Sequence, residues 1–139
     1  MYRFLDQQLA ALDEHFQFLV GAMRQWTVAV RRGRCACAAL APGFAWRGIA
    51  SALPDFTAAM AAVDREGERW LRFGAMTSPV VSEDEAAMLA LFAAAIDGDA
   101  LATRRIAATL VSDDATTPLA TSVEWVALRF IQSPITQRD

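Results

Sequence analysis

The sequence predicts an all-α protein, a single-domain helical bundle of five to six helices with a long N-terminal helix over about residues 3–32. Three observations predict it. About one residue in five is alanine, the best helix former. Strand-favouring residues are sparse and scattered. Near the start of the chain, Tyr2, Leu5, Leu9, Leu12, Phe16, Leu19, Met23, Trp26 and Val30 recur at alternating steps of four and three. That period keeps one face of a helix against a partner helix.

In heptad terms Tyr2, Leu9, Phe16, Met23 and Val30 fill a positions, and Leu5, Leu12, Leu19 and Trp26 fill d positions. Asp6, Asp13 and Glu14 lie in the first half of this stretch and Arg24, Arg31 and Arg32 toward its end, which suits the helix dipole. Gly33 is a natural C′ residue. A helix of roughly 30 residues is about 45 Å long, longer than a domain of this size is wide, so part of it is expected to protrude or to lie against a second subunit. Leu5, Leu9, Leu12, Phe16, Leu19, Met23 and Trp26 are therefore the candidate interface. The bulky a residues suit bundle packing better than a two-stranded zipper, where β-branched residues are usual, so burial against the chain's own helices is the competing reading.

The remaining elements follow in order. Pro42-Gly43 should interrupt residues 35–53, leaving one short helix before Pro42 and another near Phe44–Ala52. Pro54 opens a second long helix, with Phe56, Met60, Val63 and Trp70 at helical spacing, that should hold to about Glu66. Residues 69–73 alternate well enough to be extended instead. Residues 74–81 read as a connector. Ser82 and Glu85 then form a capping-box pattern ahead of Met88, Leu89, Phe92 and Ile96, with Gly98 as the stop. Asp99 should cap a fourth helix to about Val111, with Leu101, Ala108 and Val111 on one side. Ser112–Thr116 reads as a turn, and Thr117-Pro118 as the start of a last helix carrying Leu119, Val123, Val126 and Phe130 inward to Pro134. The domain thus spans 1–134, with 135–139 a loose tail.

Composition narrows the function classes. The chain has 139 residues, enough to bury a core without disulfides or metal. Its hydrophobic fraction of 55% is high, and a subunit interface would cover the excess. A net charge of −3 argues against a generally basic nucleic-acid binder. The segment 106–112 could open a helix-turn-helix, but the reading helix after it would begin with Asp113-Asp114, which repels phosphate. No nucleic-acid partner is expected. All 13 positions counted as Lys or Arg are arginine, which excludes lysine Schiff-base chemistry. The longest uncharged stretches fall well short of the roughly 20 residues that span a bilayer, and no signal pattern begins the chain. Two cysteines in that setting point to a reducing cytosol and a cytoplasmic location, with no membrane partner.

No residue set reaches a specific chemistry. His15 is the single histidine, and a triad needs a nucleophile and an orienting acid on the same side of it. Asp13 and Glu14 adjoin it but point to other helix faces. Cys35 and Cys37 could offer two thiolates to zinc, yet no second ligand pair exists, and buried small side chains are their expected role. One histidine cannot supply the two Glu-x-x-His motifs of a di-metal bundle. Phosphate loops and nucleophile elbows are absent. Arg31, Arg32, Arg34 and Arg47 are candidate anchors for an anion, and Arg24 or Arg47 could hold the head group of a ligand lying between helices. The expectation is a non-catalytic interaction, assembly or regulatory module without cofactor or metal, self-associating as a homodimer through its first helix. The alternative is a binding protein for a small apolar or amphipathic ligand in an inter-helix pocket.

Overall fold

The N-terminal helix is shorter than its apolar period. In the computed structural model, which describes residues 2–67 and 73–132, α1 runs Glu14–Arg31. Ahead of it, Tyr2–Phe4 and Leu9–Ala11 are single 3-10 turns. Two sites break the expected rod. Asp6 has a φ of 58°, a left-handed conformation that aspartate tolerates but a right-handed helix cannot pass through. Leu12 and Asp13 then have ψ of 155° and 150°, so the chain is extended just before α1. Glu14 and the preceding Asp13 mark a helix start, where negative charge meets the positive end of the dipole. The segment before α1 has other partners: the Leu9 amide donates to the Pro79 carbonyl at 2.7 Å, and the Val81 amide to Gln7 at 2.9 Å.

The seam turns inward. Phe16, Leu19, Met23 and Trp26 are buried in this chain's own core, and Leu5, Leu9 and Leu12 are half-buried against it. The seven residues expected at a subunit interface thus already have covering partners within the chain. The four-three period is real from Phe16 onward, but it records packing against neighbouring helices of the same bundle.

Five more helices follow: α2 Ala36–Arg47, α3 Leu53–Glu66, α4 Glu83–Ile96, α5 Ala100–Leu110 and α6 Asp113–Gln132. Pro42 does not interrupt α2. The carbonyl it leaves without a donor belongs to Ala38, on the exposed side of the helix, where water can serve it. Gly48, at φ 81°, provides the left-handed stop. Likewise Pro118 lies inside α6, which starts at Asp113 with its two acids in the first turn, so the expected acidic turn is helical. The inner side of α5 is Thr103, Ala107 and Leu110, and Leu101 and Ala108 face out. Trp70 and all but Phe73 of the expected extended run 69–73 lie outside the described residues, as do Pro134 and the tail.

The Ser82–Glu85 capping box forms as expected and starts α4. That helix is apolar nearly all round and is buried nearly all round, which makes it the axis of the bundle. α6 packs chiefly on α3 and also covers α4 and α5, while α2 lies on α1. The buried side chains form one connected core that draws on all six helices. Among the described residues there is no strand, only the isolated bridges Gln8–Val80 and Gly67–Val111.

Candidate functional site

Charged groups come first, because the sequence points to them as anchors. Arg24 is buried and makes four hydrogen bonds. Its Nε donates to Glu85 Oε2 at 2.7 Å and its Nη2 to Oε1 at 3.0 Å, while Nη1 and Nη2 donate to the carbonyls of Ser78 and Val80. Glu85 also accepts from the Gly74 and Ser82 amides. A Cβ on Gly74 would sit 2.9 Å from Arg24 Nη2, so a larger residue there would make the guanidinium shift from its hydrogen-bonded position. The capping glutamate therefore ties α1, α4 and the loop 73–82 together. This hub is structural and leaves Arg24 unable to meet a ligand head group.

Arg47 is also buried rather than presented to an anion. Its Nη2 donates to Glu14 Oε2, and its guanidinium lies 5.8 Å from the Phe18 ring centroid and 5.3 Å from that of Phe130, inside cation–π range. Nε and Nη1 have no hydrogen-bond partner among the described residues. His15 lies beside this cluster, its ring 4.3 Å from Phe16 and 6.1 Å from Phe130. Burial holds its pKa below the ordinary value; Asp13 and Glu14 pull it back up, and Arg47 and Arg3 push it further down. His15 here packs against the Phe16 and Phe130 rings.

Arg31, Arg32 and Arg34 are exposed around the junction of α1 and α2 and line neither of the cavities described below. Cys35 and Cys37 are exposed free thiols, contrary to the expected burial: Cys35 stands before the helix proper, and the inner side of α2 is taken by Leu40, Phe44 and Arg47. Among the described residues no three His, Cys, Asp or Glu side chains gather where they could hold a metal ion. None of their helices is long and apolar enough to cross a membrane.

What the helices do bring together is a groove between α1 and α2. It has a volume of about 230 Å³ and is lined by Phe18, Gly21 and Gln25 of α1 and by Leu40, Gly43 and Phe44 of α2, with Met76 from the loop at its edge. Gly21 and Gly43 create it. A Cβ built on either glycine meets nothing within 4 Å. Phe18 and Phe44 meet edge-to-face at 5.0 Å and form one wall. Gln25 is the polar group of the lining, and its amide nitrogen already donates to the Ala39 carbonyl at 2.9 Å, leaving its side-chain oxygen able to accept. The sequence held one signal for this site: glycine inside a helix costs about 1 kcal/mol relative to alanine, so Gly21 and Gly43 in an alanine-rich chain each called for a reason. Read as a breaker, Gly43 hid it. Of the tryptophans, Trp26 is in the core and Trp46 and Trp125 are exposed, and none of these three lines the groove. Set against family models, curated proteins and solved structures, the chain matches none of them.

Proposed function

We propose that this protein is a non-catalytic binding protein for a small apolar or amphipathic molecule, held in the groove between α1 and α2. One observation carries the reading: two helices face each other with glycines at Gly21 and Gly43 and leave a space of about 230 Å³ walled by Phe18, Leu40 and Phe44. An apolar cavity of about 150 Å³ takes benzene, so this one has room for a substituted ring or a short chain.

Toluene and indole titrated into the isotope-labelled protein are expected to shift the backbone resonances of Gly21, Gly43 and Phe44. Gly21→Leu and Gly43→Leu put side chains into the open space, and each is expected to weaken binding at least tenfold without lowering the melting temperature, since leucine is the better helix former. Tight binding retained in both variants would remove the groove as the site.

A second reading, self-association, is favoured by the outward side of α2. Ala38, Pro42 and Ala45 are exposed there, and Trp46 is 76% exposed, with no charged residue between Arg34 and Arg47. The occupant we infer is a second copy, paired antiparallel so that the arginines at one end of α2 lie near Trp46 and the exposed Glu14 of the other chain at its opposite end. Light scattering is expected to give a dimer for the unaltered protein and a monomer for Trp46→Glu. A monomeric mass for the unaltered protein would end this reading.

A further inference from the structure

Resting on the assignment of the α1–α2 groove as a ligand site, we propose that its ligand is an uncharged amphiphile. The apolar part fills the groove and a hydroxyl-bearing head lies in the cleft beside it. That cleft has a volume of about 290 Å³ and is lined by Gln8, Leu9, Gln17, Thr77, Ser78 and Pro79, among others. The two spaces adjoin. Met76 lines both of them, and Gln17 of the cleft is followed in the chain by Phe18 of the groove. Met76 is 50% exposed, and its flexible side chain can bend to follow a ligand that passes from one space to the other.

The linings set the polarity of each end. The groove presents aromatic and aliphatic surface, whereas the cleft presents two carboxamides and two hydroxyls. Among the described residues, no charged side chain lines either space. Of the two buried arginines, Arg24 is engaged by Glu85 and the loop carbonyls, Arg47 pairs with Glu14 and lies against two phenylalanine rings, and neither lines either space. A carboxylate or ammonium head would meet no opposite charge in these linings, whereas a hydroxyl finds hydrogen-bonding partners in the carboxamides and hydroxyls of the cleft.

The cleft offers acceptors at Gln17 and Ser78 and both donors and acceptors at Gln8 and Thr77, which suits a group that can itself donate and accept. Gln17 Nε2 donates to the Leu12 carbonyl at 2.8 Å, so the oxygen of that carboxamide is the group left facing a ligand. Ser78 Oγ donates to the Val80 carbonyl at 3.3 Å and keeps its lone pairs. Pro79 has no amide proton to offer. A head group with several hydroxyls, such as a glycerol or a sugar, meets these acceptors.

The test compares four probes by calorimetry and resonance mapping, all below their micelle concentrations: monooctanoylglycerol, octanoate, octyltrimethylammonium and toluene. Monooctanoylglycerol is expected to bind at least tenfold more tightly than either ion and to shift Gln17 and Ser78 together with Gly21 and Gly43. Gln17→Ala and, separately, Ser78→Ala are expected to weaken it three- to tenfold while leaving toluene affinity unchanged, a split that general unfolding would not produce. If toluene binds but octanoate equals or exceeds monooctanoylglycerol, or if the cleft resonances stay still, the uncharged-head proposal is overturned and the groove survives. If none of the four probes binds, the groove itself fails as a ligand site and the proposal falls with it.

Discussion

Glu85→Ala is expected to cost about 3–5 kcal/mol of folding stability, the range for removing one partner of a buried ion pair. The reason is what stays behind. Arg24 is 1% exposed, so its charge would lie in the core with only the Ser78 and Val80 carbonyls to answer it. The Gly74 amide, which donates to Glu85 at 2.7 Å, would lose its partner as well. Arg24→Met combined with Glu85→Leu should be less harmful than the single change, because no orphan charge remains. Urea unfolding of the three proteins at neutral pH decides it; a loss under about 1 kcal/mol for Glu85→Ala would show that the pair carries little.

The same pair sets an acid limit. Burial alone would push the Glu85 carboxyl up, but the Arg24 hydrogen bonds, the Ser82 and Gly74 amides and the Arg24 charge outweigh it and hold it below the ordinary 4.5. The unfolded chain then takes up the proton first on acidification. Its contribution is complete above 4.5 and is lost as pH falls through the lowered folded value. Glu85→Gln should abolish that part of the acid dependence in urea midpoints.

Phe56→Ala has the second large expected effect, about 3–5 kcal/mol for a phenylalanine removed from a packed core. Phe56 is 0% exposed, and its ring lies 5.3 Å from that of Phe44 and 6.2 Å from that of Phe92. It therefore joins α3 to both α2 and the central α4. The cavity it leaves is ringed by residues of three helices, so collapse around it requires those helices to move together. Domains are stable by only about 5–15 kcal/mol in total, so the change would remove a substantial part of that margin. The melting temperature should fall by roughly 10 °C or more, since 1 kcal/mol is worth about 2–8 °C in domains of this size range. A fall of only a degree or two would mean that Phe44 and Phe92 close over the gap.

The helical class and the caps were legible because each rests on local chemistry. Ser82 with Glu85, Asp99 and the apolar residues of α3 and α6 act within a turn or two of themselves. The long rod was misread because its leucines kept the period through two breaks. Asp6 and Leu12 are dihedral exceptions, and Leu9 serves the core from a 3-10 turn as well as it would from a helix. Nor could spacing show that Arg24 would meet Glu85, 61 residues away, or that Arg47 would enter the ring cluster of Phe18 and Phe130. Both were read as anchors because an arginine in a list looks available. Cys35 and Cys37 failed in the opposite sense: apolar neighbours suggested burial, but α2 covers the core with only three of its side chains.

The short pairing of residues 7–9 with 79–81 has a consequence for synthesis. During translation residues 7–9 wait, because the carbonyl of Pro79 and the amide of Val81 that hold them are made later. Leu5, Leu9 and Leu12 stay unsheltered until the ribosome has released the chain beyond Val81, and α1 lacks its clasp to Glu85 for the same interval. Assembly of this bundle is therefore gated by its middle, and a nascent chain halted before that point should behave as a protease-sensitive, incompletely seated set of helices.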